Sequence, residues 1–286
     1  MVKISSVQFK AKNVKSLEKF EKHVEEIVIK AKKSNSDFIV FPEYFTIEAA
    51  TVYLSTAKLN EALKKLAEEY FEKFKEFMED LARKYQVFII AGSIPEKIGE
   101  RYYNTSMLIS PEGETGRYRK IHLHAADKVM GLDGYGEELK IFETPYGKAS
   151  IIICYDSLFP EISRILRLKG VEILFVPSAA PDKSSFLDLR RCCEARVVEN
   201  QFIVVHSVLI GGIKAEEEFR FYGKSSILYP GGNKVLADGK IGKELIVVAD
   251  VDMERIRLRI KNQHVVKDLR PEIYSQLCKN NWKIEY

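Results

Sequence analysis

The segment Ile151-Ile152-Ile153-Cys154-Tyr155-Asp156-Ser157-Leu158-Phe159-Pro160-Glu161 runs from an apolar, β-branched stretch into a thiol and then into a helix start. Consecutive isoleucines of this kind suit a strand buried on both faces. Pro160 and Glu161 have the character of a first helical turn. The segment therefore presents Cys154 at the end of a buried strand, ahead of a helix. Two other segments share the build. Phe38-Ile39-Val40-Phe41-Pro42 delivers Glu43, and Gly116-Arg117-Tyr118-Arg119 delivers Lys120. A carboxylate, an amine and a thiol at strand ends form a coherent set for acyl transfer.

Working outward, apolar β-rich runs alternate with segments of helical period. Strands are expected at Val2–Phe9, Asp37–Phe41, Val87–Ser93, Asn104–Ser110, Ala149–Cys154, Val171–Val176, Phe202–Leu209, Gly223–Tyr229 and Leu245–Asp250. Helices are expected at Ser16–Lys33, Leu59–Lys84, Pro160–Lys169 and Ser185–Asn200. The stripe Leu63, Leu66, Ala67, Tyr70, Phe74, Phe77, Met78 and Leu81 marks a helix face turned to the core. Gly and Pro gather at Gly131–Gly136, Pro145–Gly147 and Gly231–Gly232, which read as turns rather than linkers. The expectation is one domain over 1–286, an α/β layered sandwich, with about 262–286 as an extension at an oligomer interface.

The chain has 286 residues, 46% hydrophobic and 30% charged, with a formal net charge of +4, which suits a soluble globular protein. The basic residues from Lys10 to Lys33 are interleaved with Glu18, Glu21, Glu25 and Glu26, a solvated helix face and not a nucleic-acid surface. No apolar run has the length of a membrane span. The N-terminus lacks the basic-then-apolar order of a signal peptide. The four cysteines, Cys154, Cys192, Cys193 and Cys278, form no Cys-x-x-Cys pair, so no metal site is expected and the cytoplasm is the expected location.

A free thiol is mostly protonated at neutral pH and needs a base, a cation or a helix N-terminus beside it to attack. A lone cysteine after an apolar run is more often a buried structural residue. The run Cys-Tyr-Asp-x-x-Phe-Pro-Glu shifts that balance towards chemistry. Glu43 after a buried strand loses solvation, which raises its pKa towards the range of a general base; a capping or surface carboxylate is the alternative. Lys120 could stabilise an oxyanion and a thiolate, or be plain surface charge. His122 and His124 suit structural hydrogen bonds, with a proton shuttle as the alternative. Cys192 and Cys193 suit the apolar face of a helix. Arg190, Arg191 and Arg196, interleaved with Glu194 and Glu199, suggest ion pairs near the site rim or a dimer interface.

Together, Phe41-Pro42-Glu43, Tyr118-Arg119-Lys120-Ile121-His122-Leu123 and Cys154-Tyr155-Asp156 with Phe159-Pro160-Glu161 resemble the three motifs of the nitrilase (carbon–nitrogen hydrolase) superfamily, in that family's order. Tyr103-Asn104-Thr105, Gly147-Lys148, Glu194-Ala195-Arg196 and Glu199-Asn200-Gln201 extend the match to essentially the whole chain. Arg190–Gln201 and Asp268-Leu269-Arg270-Pro271-Glu272-Ile273-Tyr274 look closest to the branch often fused to an N-acetyltransferase domain. The pattern itself begins at about the first strand, with no such domain expected.

The resemblance implies a four-layer α-β-β-α sandwich assembled as a homodimer or larger homo-oligomer through its helices. It implies Glu43 as general base, Cys154 as nucleophile, and Lys120 with the backbone N–H of Tyr155 around the oxyanion. No cofactor is implied. Many members carry a second glutamate after the lysine; here Asp127, one methylene shorter, stands there, as a substrate-positioning carboxylate or a solvated loop residue. Tyr44, Tyr155 and Phe159 are expected to line a pocket for apolar or aromatic groups. The expected activity is a thiol-dependent amidase acting on a small amide. The alternatives are nitrile or N-carbamoyl-amine hydrolysis by the same triad, acyl transfer to an amine, and a non-catalytic scaffold binding a metabolite or protein.

Overall fold

The computed structural model describes residues 1–231, 234–262 and 264–275. Its strands are β1 (Val2–Gln8), β2 (Lys10–Ala11), β3 (Phe38–Val40), β4 (Phe88–Ile90), β5 (Ile94–Ile98), β6 (Arg101–Ile109), β7 (Thr115–Arg119) and β8 (Phe142–Thr144). They continue with β9 (Gly147–Ile151), β10 (Ile173–Ala179), β11 (Ile203–Lys214), β12 (Glu218–Phe221), β13 (Ser226–Tyr229), β14 (Lys234–Asp238) and β15 (Leu245–Val251). The helices are α1 (Leu17–Lys32), α2 (Ile47–Ala50), α3 (Leu59–Glu69), α4 (Phe71–Tyr85), α5 (Ala125–Val129), α6 (Pro160–Leu168), α7 (Lys183–Asn200), α8 (Met253–Asn262) and α9 (Pro271–Tyr274).

One sheet has the order β15-β1-β3-β4-β6-β5 with β7 on β6; the other has the order β14-β13-β11-β10-β9-β8 with β12 and β2 on β11. Side-chain alternation along short strands builds the layers. Phe38, Val40, Phe88 and Ile90 meet Ile151, Ile173, Phe175 and Val205 between the sheets. Ile39 and Ile89, one residue out of phase, face the opposite way and pack with Phe20, Val24, Leu66, Phe74 and Met78 of α1, α3 and α4. On the second sheet Leu174 and Val176 turn outward to Cys193 and Val197 of α7 and Ile162 and Leu166 of α6. Helices, sheet, sheet and helices thus stack in four layers, as expected.

Three local expectations need correction. The single helix Leu59–Lys84 is two, α3 and α4, joined at Tyr70, whose φ of −124° leaves the helical range. The apolar stripe runs through the joint unbroken, so periodicity could not register it. Cys154 does not end its strand. β9 stops at Ile151 because beyond it the chain turns into the 3-10 helix Cys154–Leu158, which α6 then follows with Pro160 in its first turn. Glu43 likewise follows β3 by way of Phe41 and Pro42. Cys278 and the rest of 276–286, the end of the segment expected to be an extension, lie outside the described residues.

Candidate active site

β3, β9 and β10 run parallel to their neighbours β1, β4 and β11, so the carboxyl ends of both sheets' central strands point to one edge. That edge is where open α/β sheets place ligand sites. The structure brings Glu43, Lys120 and Cys154 together there, from chain segments far apart in sequence.

Lys120 follows β7 directly and is 2% exposed, with its ammonium 2.7 Å from Glu43 Oε1 and 2.8 Å from Asp127 Oδ2. An ammonium has three donors, so one remains beyond these two bonds. Asn104 Nδ2 also spans the two carboxylates, donating to Glu43 Oε1 at 3.0 Å and to Asp127 Oδ1 at 3.1 Å. Glu43 Oε2 accepts the Ala179 N–H at 3.0 Å. The Cys154 thiol faces the same cleft as Glu43 and donates to the Ala179 carbonyl oxygen at 3.6 Å. One carboxylate oxygen is therefore anchored by Lys120 and Asn104, and the thiol remains available to the group as a whole.

Burial sets the proton inventory. It pushes the Cys154 thiol well above its ordinary range, the Glu43 charge adding to that and Lys120 opposing it. Burial likewise raises the Glu43 carboxyl, with Lys120 opposing and the Asp127 charge adding. For Asp127 burial works upward too, but the Lys120 contact and the Tyr44 and His124 hydrogen bonds outweigh it and hold the carboxyl below its usual range. Desolvation disfavours the Lys120 ammonium, yet the two carboxylates more than compensate and keep it protonated. The thiol is thus neutral beside a carboxylate whose basicity burial has increased, which is the arrangement general-base catalysis requires.

Asp127 is no solvated loop residue. It is 1% exposed and accepts from Lys120, Asn104, the Tyr44 hydroxyl and the His124 N–H. The short helix α5 supplies it: His124 caps that helix, and Asp127 reaches back to the cap. Its oxygens are spent on Lys120 and its neighbours, so its reach is to the lysine more than to a ligand.

Two buried residues of the site hold backbone angles that side chains rarely adopt: Tyr44 at φ +55° and Cys154 at φ +47°. Such angles cost on the order of 1–3 kcal/mol each and persist where surroundings enforce them. At Tyr44 the N–H is held by Ser93 Oγ at 3.0 Å. At Cys154 the enforcing group is Asp156, fully buried, which accepts from Tyr118 Oη at 2.7 Å, His122 N–H at 2.9 Å and Ile153 N–H at 3.0 Å. Asp156 therefore ties the lysine segment to the cysteine turn. Tyr155 is the second residue of that turn, so its N–H is among the donors a helix start leaves without an intrahelical acceptor.

A cleft of about 500 Å³ opens over Glu43, Lys120 and Cys154, and Tyr44 and Asp127 line it. Tyr155 and Phe159 are not part of its wall. Phe159 stacks on His122 at 3.6 Å between ring centroids, and Tyr155 packs edge-on against Phe159 and His124. The apolar wall comes instead from α5, from Pro181 and from β12, a strand with too few residues to announce itself in the sequence. Asn104 and Ala179 also escaped the sequence reading of roles. Asn104 stood in a recognisable motif, but only the fold shows what it bridges. Arg190 pairs with Glu194 at 2.8 Å and with Asp238 at 3.1 Å, and Arg196 with Glu199 at 2.9 Å, as their spacing suggested.

The family profile described as Carbon-nitrogen hydrolase matches residues 3–261. The chain is 34% identical over 281 residues to the Probable hydrolase YhcX of Bacillus subtilis, covering 96% of this chain and 54% of that protein, about half its length. It is 29% identical over 212 residues to the Omega-amidase NIT3 of Saccharomyces cerevisiae, covering 71% of this chain and 72% of that one. Among solved structures, a carbon-nitrogen hydrolase from Helicobacter pylori G27 superposes with a TM-score of 0.84 at 24% identity, covering 98% of both chains, which establishes the shared fold.

Proposed function

Since the chain belongs to the carbon–nitrogen hydrolase family, a family of hydrolases acting on carbon–nitrogen bonds other than peptide bonds, we propose that it is a thiol-dependent amidase using Glu43, Lys120 and Cys154. The convergence of these three groups, two of them in contact at 2.7 Å, carries the reading. The similarity to an omega-amidase supports an amide substrate.

In this mechanism Glu43 takes the proton of the Cys154 thiol as sulfur attacks the carbonyl carbon. The oxygen's developing charge meets the third N–H of Lys120 and the backbone N–H of Tyr155. Collapse breaks the carbon–nitrogen bond, and Glu43 returns its proton to the leaving nitrogen, giving ammonia or an amine and a thioester on Cys154. Glu43 then deprotonates a water that attacks the thioester. The acid leaves, and the proton returns to sulfur. Asp127 acts through Lys120, fixing the ammonium where the oxyanion forms.

Replacing Cys154 with Ala should abolish ammonia release from simple amides while leaving the thermal unfolding transition in place. Mass spectrometry of the unaltered protein during turnover should find an acyl adduct on the Cys154 peptide. Turnover by Cys154→Ala would refute the reading.

We also read residues 1–286 as one domain, because β1 pairs with β15 and β2 with β11, joining the two ends of the chain through both sheets. The branch often fused to an acetyltransferase domain remains our placement, supported by Arg190–Gln201 and Asp268–Tyr274. Assembly as a homo-oligomer through α6 and α7 is supported by Ile165, Leu168 and Val198, exposed at 42%, 58% and 68%. Beside them buried nitrogens of Arg164 and Arg167 have no partner among the described residues. The unpaired thiols of Cys154, Cys192 and Cys193 support a cytoplasmic location. No helix among the described residues is long and apolar enough to cross a membrane.

A further inference from the structure

We infer that the cleft selects uncharged amides with an apolar acyl chain of several carbons, and discriminates against amides whose chain ends in a carboxylate. The inference rests on the amidase reading and names the substrate class for that site.

The first observation is the wall. Val129, the last residue of α5, and Met130 just after it stand on one side of the cleft, and Pro181, Phe219 and Phe221 complete it. Val129 is 75% exposed, an apolar side chain that the described residues leave uncovered at the mouth. Phe219 and Phe221 are half-buried and pack against the core cluster below, which makes them a firm surface for an acyl chain. A cavity of about 500 Å³ exceeds what an acetyl or propionyl group would fill.

The second observation is the charge. The lining holds the carboxylates Glu43, Asp127 and Glu218 against the cations Lys120 and Arg220. Lys120 is already bonded to Glu43 and Asp127. Arg220 is exposed and paired with Glu218 at 2.8 Å. The Nδ1 of His124 accepts the Ala126 N–H at 3.2 Å. Among the described lining residues a substrate carboxylate would therefore meet no cation without a carboxylate partner, and the lining carries one more carboxylate than cation. The same charge leaves an alkyl or aryl chain unaffected, while the wall removes that chain from water.

The test compares kcat/KM for hexanamide and glutaramate, which are of similar length, with propionamide as a short reference, by ammonia release. Hexanamide should exceed both by at least about tenfold, on the order of the discrimination a few buried methylenes give. Met130→Ala should lower the ratio of the hexanamide to the propionamide value severalfold, a contrast expected only if the wall holds the longer chain. Val129→Lys, at an exposed position that tolerates charge, should narrow the gap by raising glutaramate. Turnover in which glutaramate equals or exceeds hexanamide would overturn the inference and leave the amidase reading intact, most directly if Arg220→Ala removed that preference. No ammonia and no acyl adduct from any of the three amides would overturn the amidase reading itself, and this inference with it.

Discussion

Replacing Asp127 with Asn keeps the shape of the side chain and removes its charge. The carboxylate accepts four hydrogen bonds, from Lys120 at 2.8 Å, Asn104 at 3.1 Å, His124 N–H at 2.7 Å and the Tyr44 hydroxyl. An amide can satisfy only part of that set, and its NH₂ faces donors. Lys120 keeps Glu43 but loses its second anchor. Displacing a positioned catalytic group by about an ångström costs on the order of 10²-fold, so kcat/KM should fall by about that factor, which is about 2.7 kcal/mol of transition-state stabilisation. Disrupting a buried charge pair destabilises folds by about 3–5 kcal/mol, and with Glu43 still paired the lower end applies. The direction of the pH profile is the sharper test. The Asp127 charge helps raise the Glu43 carboxyl. Glu43 works as a base only when ionised, so activity falls as pH drops through its pKa. Removing the Asp127 charge lowers that pKa, and the acidic limb of kcat/KM should move to lower pH. Steady-state ammonia release measured across pH, with thermal unfolding to confirm a folded variant, decides the matter. A variant within threefold of the starting activity, or a limb that stays put or moves upward, would refute the coupling drawn here.

Other tests address the scaffold. His23 is buried between Glu48 and Glu244, at 2.8 and 2.9 Å. Burial works against its charge, but the two carboxylates outweigh it and raise its pKa from 6.5 to about 9. The stabilisation, about 3 kcal/mol at about 1.4 kcal/mol per pH unit, should be fully present below about pH 6.5 and lost as pH rises through about 9. Chemical denaturation at pH 6 and pH 10 (values of about these, chosen to bracket that window) should show this loss, and His23→Gln should abolish it. Tyr118→Phe removes one donor from Asp156 and should cost about 1–3 kcal/mol while slowing Cys154 alkylation; unchanged stability and reactivity would mean that Asp156 does not hold the cysteine turn. In Gly212→Ala the new methyl would lie 2.4 Å from the Phe219 carbonyl oxygen and displace β12. Because β12 forms the cleft wall and not its floor, KM for hexanamide should rise more than kcat falls.

The Glu43 and Cys154 segments were legible because each puts a polar group after an apolar β run, a pattern that burial alone produces, whereas Lys120 follows the polar strand Gly116-Arg117-Tyr118-Arg119 and stood out only in combination with them. The alternation that sends Phe38 and Val40 one way and Ile39 the other is a local property, and so the layers were legible too. The boundaries failed where local signals ran on past a turn. Nothing in Ile151-Ile152-Ile153 says that the strand stops at the first of them, because the stop comes from Asp156 bonding Ile153 and Tyr118 together. The break at Tyr70 was hidden because apolar spacing continues through it. Asp127 could be read either as a stand-in carboxylate or as a loop residue, since nothing adjacent in the chain distinguishes them.

From the sequence alone come the α/β layering, the order of the motifs and the residue types available for chemistry, because periodicity and composition are encoded within a few residues of each position. The tertiary structure alone decides which of those groups meet. Lys120 is a cation among many until burial between Glu43 and Asp127 fixes its charge and leaves it a single donor to spare. The cleft wall of α5 and β12 exists only once the β11–β12 hairpin folds over the carboxyl edge of the sheets. Contact between distant segments is what sets desolvation, and desolvation sets the proton affinities of Cys154 and Glu43.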